Sequence, residues 1–207
     1  MRVTRSHPTA RPDACGLDPA VSRRALLACT GALVLARSAA ATPVAGIDPL
    51  MTLVGLMRQR LDLIVEVARS KWNTGSSVED LAREQSLADD VAALAPRYGL
   101  SPQLAAKFFR AQIEAAKLVE SALIARWTLA HAGVFAEAAD QRTAIRPKID
   151  RLTAQLLAAL AAVAPALKRD DAERIIEAGR LPDEVMTLAM TRALQPLVEL
   201  CGVKAGG

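Results

Sequence analysis

The stretch Ile47-DPLMTLVGLMRQRLDLIVEVARSK-Trp72 decides the fold. Leu50, Leu53, Val54, Met57, Leu61, Ile64, Val65 and Ala68 recur at spacings of three and four, which lays an apolar stripe along an α-helix over about residues 47–72. Two cations stand against that stripe. Arg60 and Lys71 are eleven residues apart, or three turns plus about 20°, so they share a face at roughly 16 Å along the axis. Such a pair reads either as two side chains snorkelling from the helix edge or as two arms reaching toward one small anion between them.

The pattern continues outward from there. Asn73-Thr74-Gly75-Ser76 breaks the first helix, and Ser77 is the expected N-cap of a second that runs to about Tyr98 and stops at Gly99. Asp80, Arg83 and Glu84 fall at i, i+3 and i+4 on it, a spacing that by itself predicts local ion pairs of a few tenths of a kcal/mol, with Asp80 also placed to partner the Ser77 cap. Ser101-Pro102 opens a third helix that continues through Phe108, Ile113, Leu118 and Ile124 to about Ala130. Gln112, Ala116 and Glu120 make a narrow polar or small stripe along it. A carboxyl desolvated there would have a raised pKa and act as a proton donor; the plain alternative is a solvated Glu paired with a lysine.

A fourth helix is expected over about residues 138–163, with Arg146 near its opening and Pro147 either at its true start or kinking it. Two shorter ones, about 168–178 and 183–200, are separated by Gly179 and Pro182. No period-two alternation of β-branched residues is sustained anywhere. The fold class is therefore all-α: one six-helix domain with three long members.

The first 41 residues have the layout of an export signal. Ser22-Arg23-Arg24 precedes an apolar stretch from Ala25 to Ala36, and Ala39-Ala40-Ala41 supplies a small-residue cleavage site before Thr42. The arginine pair followed by Leu26-Leu27 fits twin-arginine export as well as the general secretory route. The apolar stretch is shorter than the roughly 20 residues a membrane-spanning helix needs. The expected organisation is an export signal over 1–41 and an all-helical domain over 42–207, periplasmic or secreted after cleavage.

Removing that leader changes the electrostatics. It carries six arginines and two aspartates, so residues 42–207 hold 20 basic and 20 acidic residues and no net charge. The high pI of the whole chain belongs to the leader, which argues against nucleic acid as a partner and leaves no anchor in the membrane for the mature form. Cys15 and Cys29 leave with it, so Cys201 is left without a partner for an intrachain disulfide. His131 reads as a partner for a helix C-terminus. Zinc, P-loop, dinucleotide and Ser-His-Asp patterns are all missing from the sequence, so neither metal nor cofactor is expected.

Taken as a set, Arg60-x10-Lys71-x8-Asp80-x2-Arg83-Glu84, followed by Ala116-x3-Glu120, resembles the active-site spacing of the type II, all-helical chorismate mutases. The string from Arg60 to Trp72 is the most telling part. The leader, the extra C-terminal helices and the segment from Phe108-Phe109 to Lys117 resemble the secreted class of that family, so the likeness covers almost all of residues 42–207. It implies the Claisen rearrangement of chorismate to prephenate without a cofactor. Arg60 and Arg146 would clamp the substrate's carboxylates with Arg83 in support, and Lys71 and a protonated Glu120 would donate to the ether oxygen. Asp80 and Glu84 would line the pocket near the ring hydroxyl or orient the cations. Ala116 stands where relatives often have Ser or Thr, and Glu120 where some have Gln. The resemblance further implies a homodimer with a complete site in each subunit. Two alternatives remain at this stage: isochorismate pyruvate lyase on the same scaffold, and a helical domain that binds a carboxylate ligand without turning it over.

Overall fold

The computed structural model describes residues 48–138 and 140–202. The expected leader and cleavage site, with Cys15 and Cys29, lie outside the described residues. Within them are six α-helices: α1 (Pro49–Thr74), α2 (Leu81–Leu94), α3 (Pro102–Leu129), α4 (Arg146–Val163), α5 (Asp171–Ala178) and α6 (Glu184–Leu200). No strand occurs among the described residues.

Local chemistry sets most boundaries. Asp48 caps α1 by accepting from Leu50 N (2.9 Å) with Pro49 in the first turn, and Gly75 ends it in the left-handed region at φ 66°. Ser101 accepts from Leu104 N (3.2 Å) ahead of Pro102, as the sequence led one to expect. Asp183 caps α6 in the same way.

Two starts differ from expectation. α2 begins at Leu81 under Asp80, whose carboxylate accepts from Arg83 N (3.1 Å), so Asp80 and not Ser77 is the cap. The cause is tertiary. Lys71 Nζ donates to Val78 O (2.9 Å), which ties residue 78 to α1 and keeps the backbone there out of the helix. At its other end α2 tightens into a 3-10 turn over Ala95–Tyr98, because Pro96 has no N–H to continue the α ladder. The fourth helix, expected from residue 138, starts later: a wide π-type turn over Gln141–Ile145 leads into α4, and Pro147 sits in its first turn and does not kink it.

α3 is the central member. It packs against α1, α2 and α6, while α4 lies along α1, and α5 bridges α6 and α1. Phe108 and Phe109, edge to face at 5.4 Å, are fully buried in the N-terminal third of α3. They meet a core that includes Leu53, Met57 and Leu61 of α1 and Met190 and Leu194 of α6. The run Thr143–Ala166 is long and apolar enough to cross a bilayer by length and composition; one face of it, with Leu152, Leu156, Leu157, Leu160 and Val163, is buried in this fold. The C-terminus of α5 is locked by Arg58, which donates to Ala178 O.

Candidate active site

Arg60 lies midway along α1 and is only 4 % exposed. Taking a guanidinium out of water is costly, and the cost is visible in its pKa, pushed down to about 10 mainly by burial; Glu120 opposes the shift and Arg83 adds to it. It remains a cation at neutral pH. Its Nε and Nη1 have no hydrogen-bond partner among the described residues, so two forked donors are held ready for an acceptor.

Three turns on, Lys71 Nζ stands 2.6 Å from Glu120 Oε2 of α3 and donates to Val78 O. The contact with Glu120 is a close, buried ion pair in which Lys71 acts on the carboxyl both by hydrogen bonding and by charge. Glu120 is 5 % exposed. Burial raises its carboxyl above the usual range, and the attractions of Lys71 and Arg60 offset that only in part, with Glu84 adding to the rise.

These groups face a cavity of about 380 Å³ that also takes in Asp80, Arg83, Glu84, Ala116 and Arg146. The eight residues to which the resemblance gives a role thus meet on one cavity. α1 supplies the long wall with Arg60 and Lys71, the start of α2 brings Asp80, Arg83 and Glu84, α3 adds Ala116 and Glu120, and α4 presents Arg146 from its first residue. Arg146 Nε, like the Arg60 donors, is buried without a partner. Apolar Ile64, Val67, Leu87, Ile113 and Ile149 form part of the remaining lining, and the segment before α2 adds Ser76, Ser77, Val78 and Glu79.

Sequence reasoning overlooked Lys117, which also lines the cavity and bridges Glu84 (3.2 Å) and Glu114 (2.8 Å). Its pKa is raised, chiefly by the bond to Glu114. The i, i+3 spacing from Glu114 was a visible signal, but the link to Glu84 depends on how α2 meets α3. Gln112 was placed on a stripe with Ala116 and Glu120; it turns instead to α6 and donates to Ala193 O (3.1 Å). Cys201 is buried, its thiol pKa pushed up by that burial, which makes it a poor nucleophile. His131 follows the end of α3 at φ 48° and its N–H donates to Thr128 O, closing the helix.

Among the described residues no cluster of His, Cys, Asp and Glu is arranged to hold a metal ion. What the cavity offers is a set of fixed cations from all four walls, the carboxylates Glu79, Asp80 and Glu84 on the α2 side, apolar side chains between them, and one acid of raised pKa in Glu120. Such a site holds a compact dianion and meets negative charge that develops between its ends.

The chain is similar to known proteins over most of its described length. The family model for chorismate mutase type II matches residues 51–121. The secreted chorismate mutase of Mycolicibacterium smegmatis is 34% identical over 144 residues, which span 66% of this chain and 79% of that protein. The crystal structure of a chorismate mutase from Burkholderia thailandensis superposes with a TM-score of 0.65 at 37% identity, covering 70% of this chain and 96% of the other. One from Burkholderia phymatum gives 0.68 at 31% identity over 76% and 98%. With a relative of that identity matched along most of its own length, and with every residue of the spacing gathered on one cavity, the chain belongs to the type II, all-helical chorismate mutase family.

Proposed function

We propose that the protein is an exported chorismate mutase that rearranges chorismate to prephenate. The observation that carries this is the buried, unpartnered Nε and Nη1 of Arg60 and Nε of Arg146, facing one cavity with the Lys71–Glu120 pair. Chorismate has two carboxylates and no charged leaving group, so the chain needs only to hold it in a reactive conformer and stabilise charge as the ether C–O bond breaks. Arg60 and Arg146 take the carboxylates, with Arg83 in support, which converts a floppy substrate into a near-attack geometry. Lys71 donates to the ether oxygen from one side. Glu120, protonated, donates from the other.

Asp80 and Glu84 stand at the mouth formed by α2. Asp80 fixes the first turn of that helix, and Glu84 is steadied by Lys117, so both hold the local charge balance against the incoming dianion. A millionfold acceleration requires about 8 kcal/mol, within reach of several charge-assisted contacts and conformer selection acting together. Ala116 contributes no hydroxyl, which places more of the binding on the guanidinium groups.

Residues 1–41 act as the export signal and 42–207 as the enzyme domain, consistent with the secreted relative, and the mature protein works as a homodimer with a full site in each subunit. The test is the loss of chorismate absorbance on adding purified 42–207, with the product identified as prephenate by its acid conversion to phenylpyruvate. Turnover abolished by Lys71→Ala supports the assignment. No turnover of chorismate by a folded wild-type protein, or lyase activity on isochorismate alone, overturns it.

A further inference from the structure

We infer that Asn73, with Trp72, is a positioning residue that couples the Lys71 end of α1 to Arg146 through the segment joining α3 to α4; this rests on the mutase reading of the site. The Asn73 carboxamide makes two reciprocal bonds with one backbone unit: Nδ2 donates to Phe135 O (2.8 Å), and Phe135 N donates to Oδ1 (2.9 Å). Beside it Trp72 Nε1 donates to Gly133 O (3.1 Å). A carboxamide that satisfies both the N–H and the C=O of a residue 62 positions away fixes that residue in place and orientation, as a ladder pair would in a sheet.

Aromatic contacts surround these bonds. Trp127 near the end of α3 meets Trp72 edge to face at 5.9 Å and Phe135 at 4.7 Å, and the Arg69 guanidinium lies 5.6 Å over the Phe135 ring. Both tryptophans of the chain, and half of its six aromatic residues, are spent on this one junction. Contacts of this number offset the conformational entropy lost in ordering the connection.

Its location gives it a role. Asn73 and Trp72 directly follow Lys71 on α1, whereas Phe135 lies on the strap that leads to the π-type turn and then to Arg146. Lys71 has anchors of its own in Val78 O and Glu120. Arg146 Nε has no partner among the described residues, so its register depends on the backbone that carries it. Releasing the strap should therefore loosen the Arg146 side of the site more than the Lys71 side.

The experiment is steady-state kinetics with chorismate on wild type, Asn73→Ala and Asn73→Asp, each also in an Arg146→Ala background. Asn73→Asp keeps the acceptor for Phe135 N and loses the donor to Phe135 O, and it serves where the alanine variant folds poorly. Expected for Asn73→Ala is a rise in KM of about five- to twentyfold with kcat within about twofold, a smaller rise for Asp, and little further effect once Arg146 is gone. A second readout does not depend on turnover. The near-UV circular dichroism of the Trp72–Trp127 pair should change with Asn73→Ala in the ligand-free protein. KM unchanged, kcat falling as much as KM rises, or the same loss with and without Arg146 overturns the coupling. Failure of the wild type to turn over chorismate sinks the mutase reading instead, and an unaltered tryptophan signal in Asn73→Ala independently overturns the clamp.

Discussion

Replacing Glu120 by Gln separates the charge of that side chain from its shape. The carboxyl is 5 % exposed, and burial lifts its pKa despite Lys71 Nζ at 2.6 Å and the Arg60 cation nearby. The sign follows directly. A raised pKa keeps the donor form present above the ordinary carboxylate range, so activity is full below the folded-state pKa and falls as pH rises through it. Ionisation also sets a negative charge against the developing ether oxygen. Losing one preorganised donor of this kind costs about 2.7–4 kcal/mol, a factor of about 10²–10³. At tenfold per pH unit, that fall takes about two to three units before it levels off. Gln keeps an N–H donor at every pH, so Glu120→Gln should give a flat profile that crosses the wild-type curve and exceeds it on the alkaline side. The assay is kcat and kcat/KM for chorismate from pH 4.5 to 9 at constant ionic strength. A wild-type profile that is flat from pH 5 to 9, or one whose slope survives in the Gln variant, would refute the assignment of Glu120 as the protonated donor.

Other substitutions probe the rest of the site and its frame. Arg60→Lys should recover little of what Arg60→Ala loses in kcat/KM, because an ammonium's donors radiate from one atom and cannot reproduce the planar fork that Arg60 Nε and Nη1 hold unpartnered; recovery to within about threefold of wild type would show that charge alone suffices. Asp80→Ala removes the cap on Arg83 N and should cost about 1 kcal/mol in urea unfolding, with KM rising as the α2 turn frays; unchanged stability would mean that water caps the helix as well. Gly179→Ala sets a Cβ 2.8 Å from Leu194 Cδ1 and 3.2 Å from Ile176 O, so about 1–3 kcal/mol of stability should be lost by the same measure with kcat preserved.

The sequence carried the site further than it carried the boundaries, and the reason is physical. Arg60 and Lys71 share a rigid helix, so their spacing alone fixed their common face, and Ser101-Pro102 announced a start that needs nothing beyond its own first turn. The opening of α2 was different. Ser77 and Asp80 are both competent caps, and the choice between them was made by Lys71 Nζ binding Val78 O, a contact across the fold. The Ala-rich run near residue 138 reads as helix by propensity, yet the strap just before it is held on Trp72 and Asn73, and the α ladder waits for Arg146. Lys117 and Gln112 show the same limit from the other side. Each is on α3 as expected, but which neighbour it meets depended on the packing of α2 and α6 against that helix.

The buried guanidinium of Arg60 also sets stability and competence in opposition. A cation held in an apolar wall with two donors unmatched is a standing penalty on the folded chain, and an aliphatic residue of similar volume there would relieve it. On the proposed role of Arg60, any search for hardier variants by heat challenge alone would then reward its loss and collect well-folded, inactive proteins. A dianion seated against that group reverses the preference, since it stabilises only chains that have kept the charge. Selection for robustness in this fold therefore has to be run with a chorismate-like dicarboxylate present throughout.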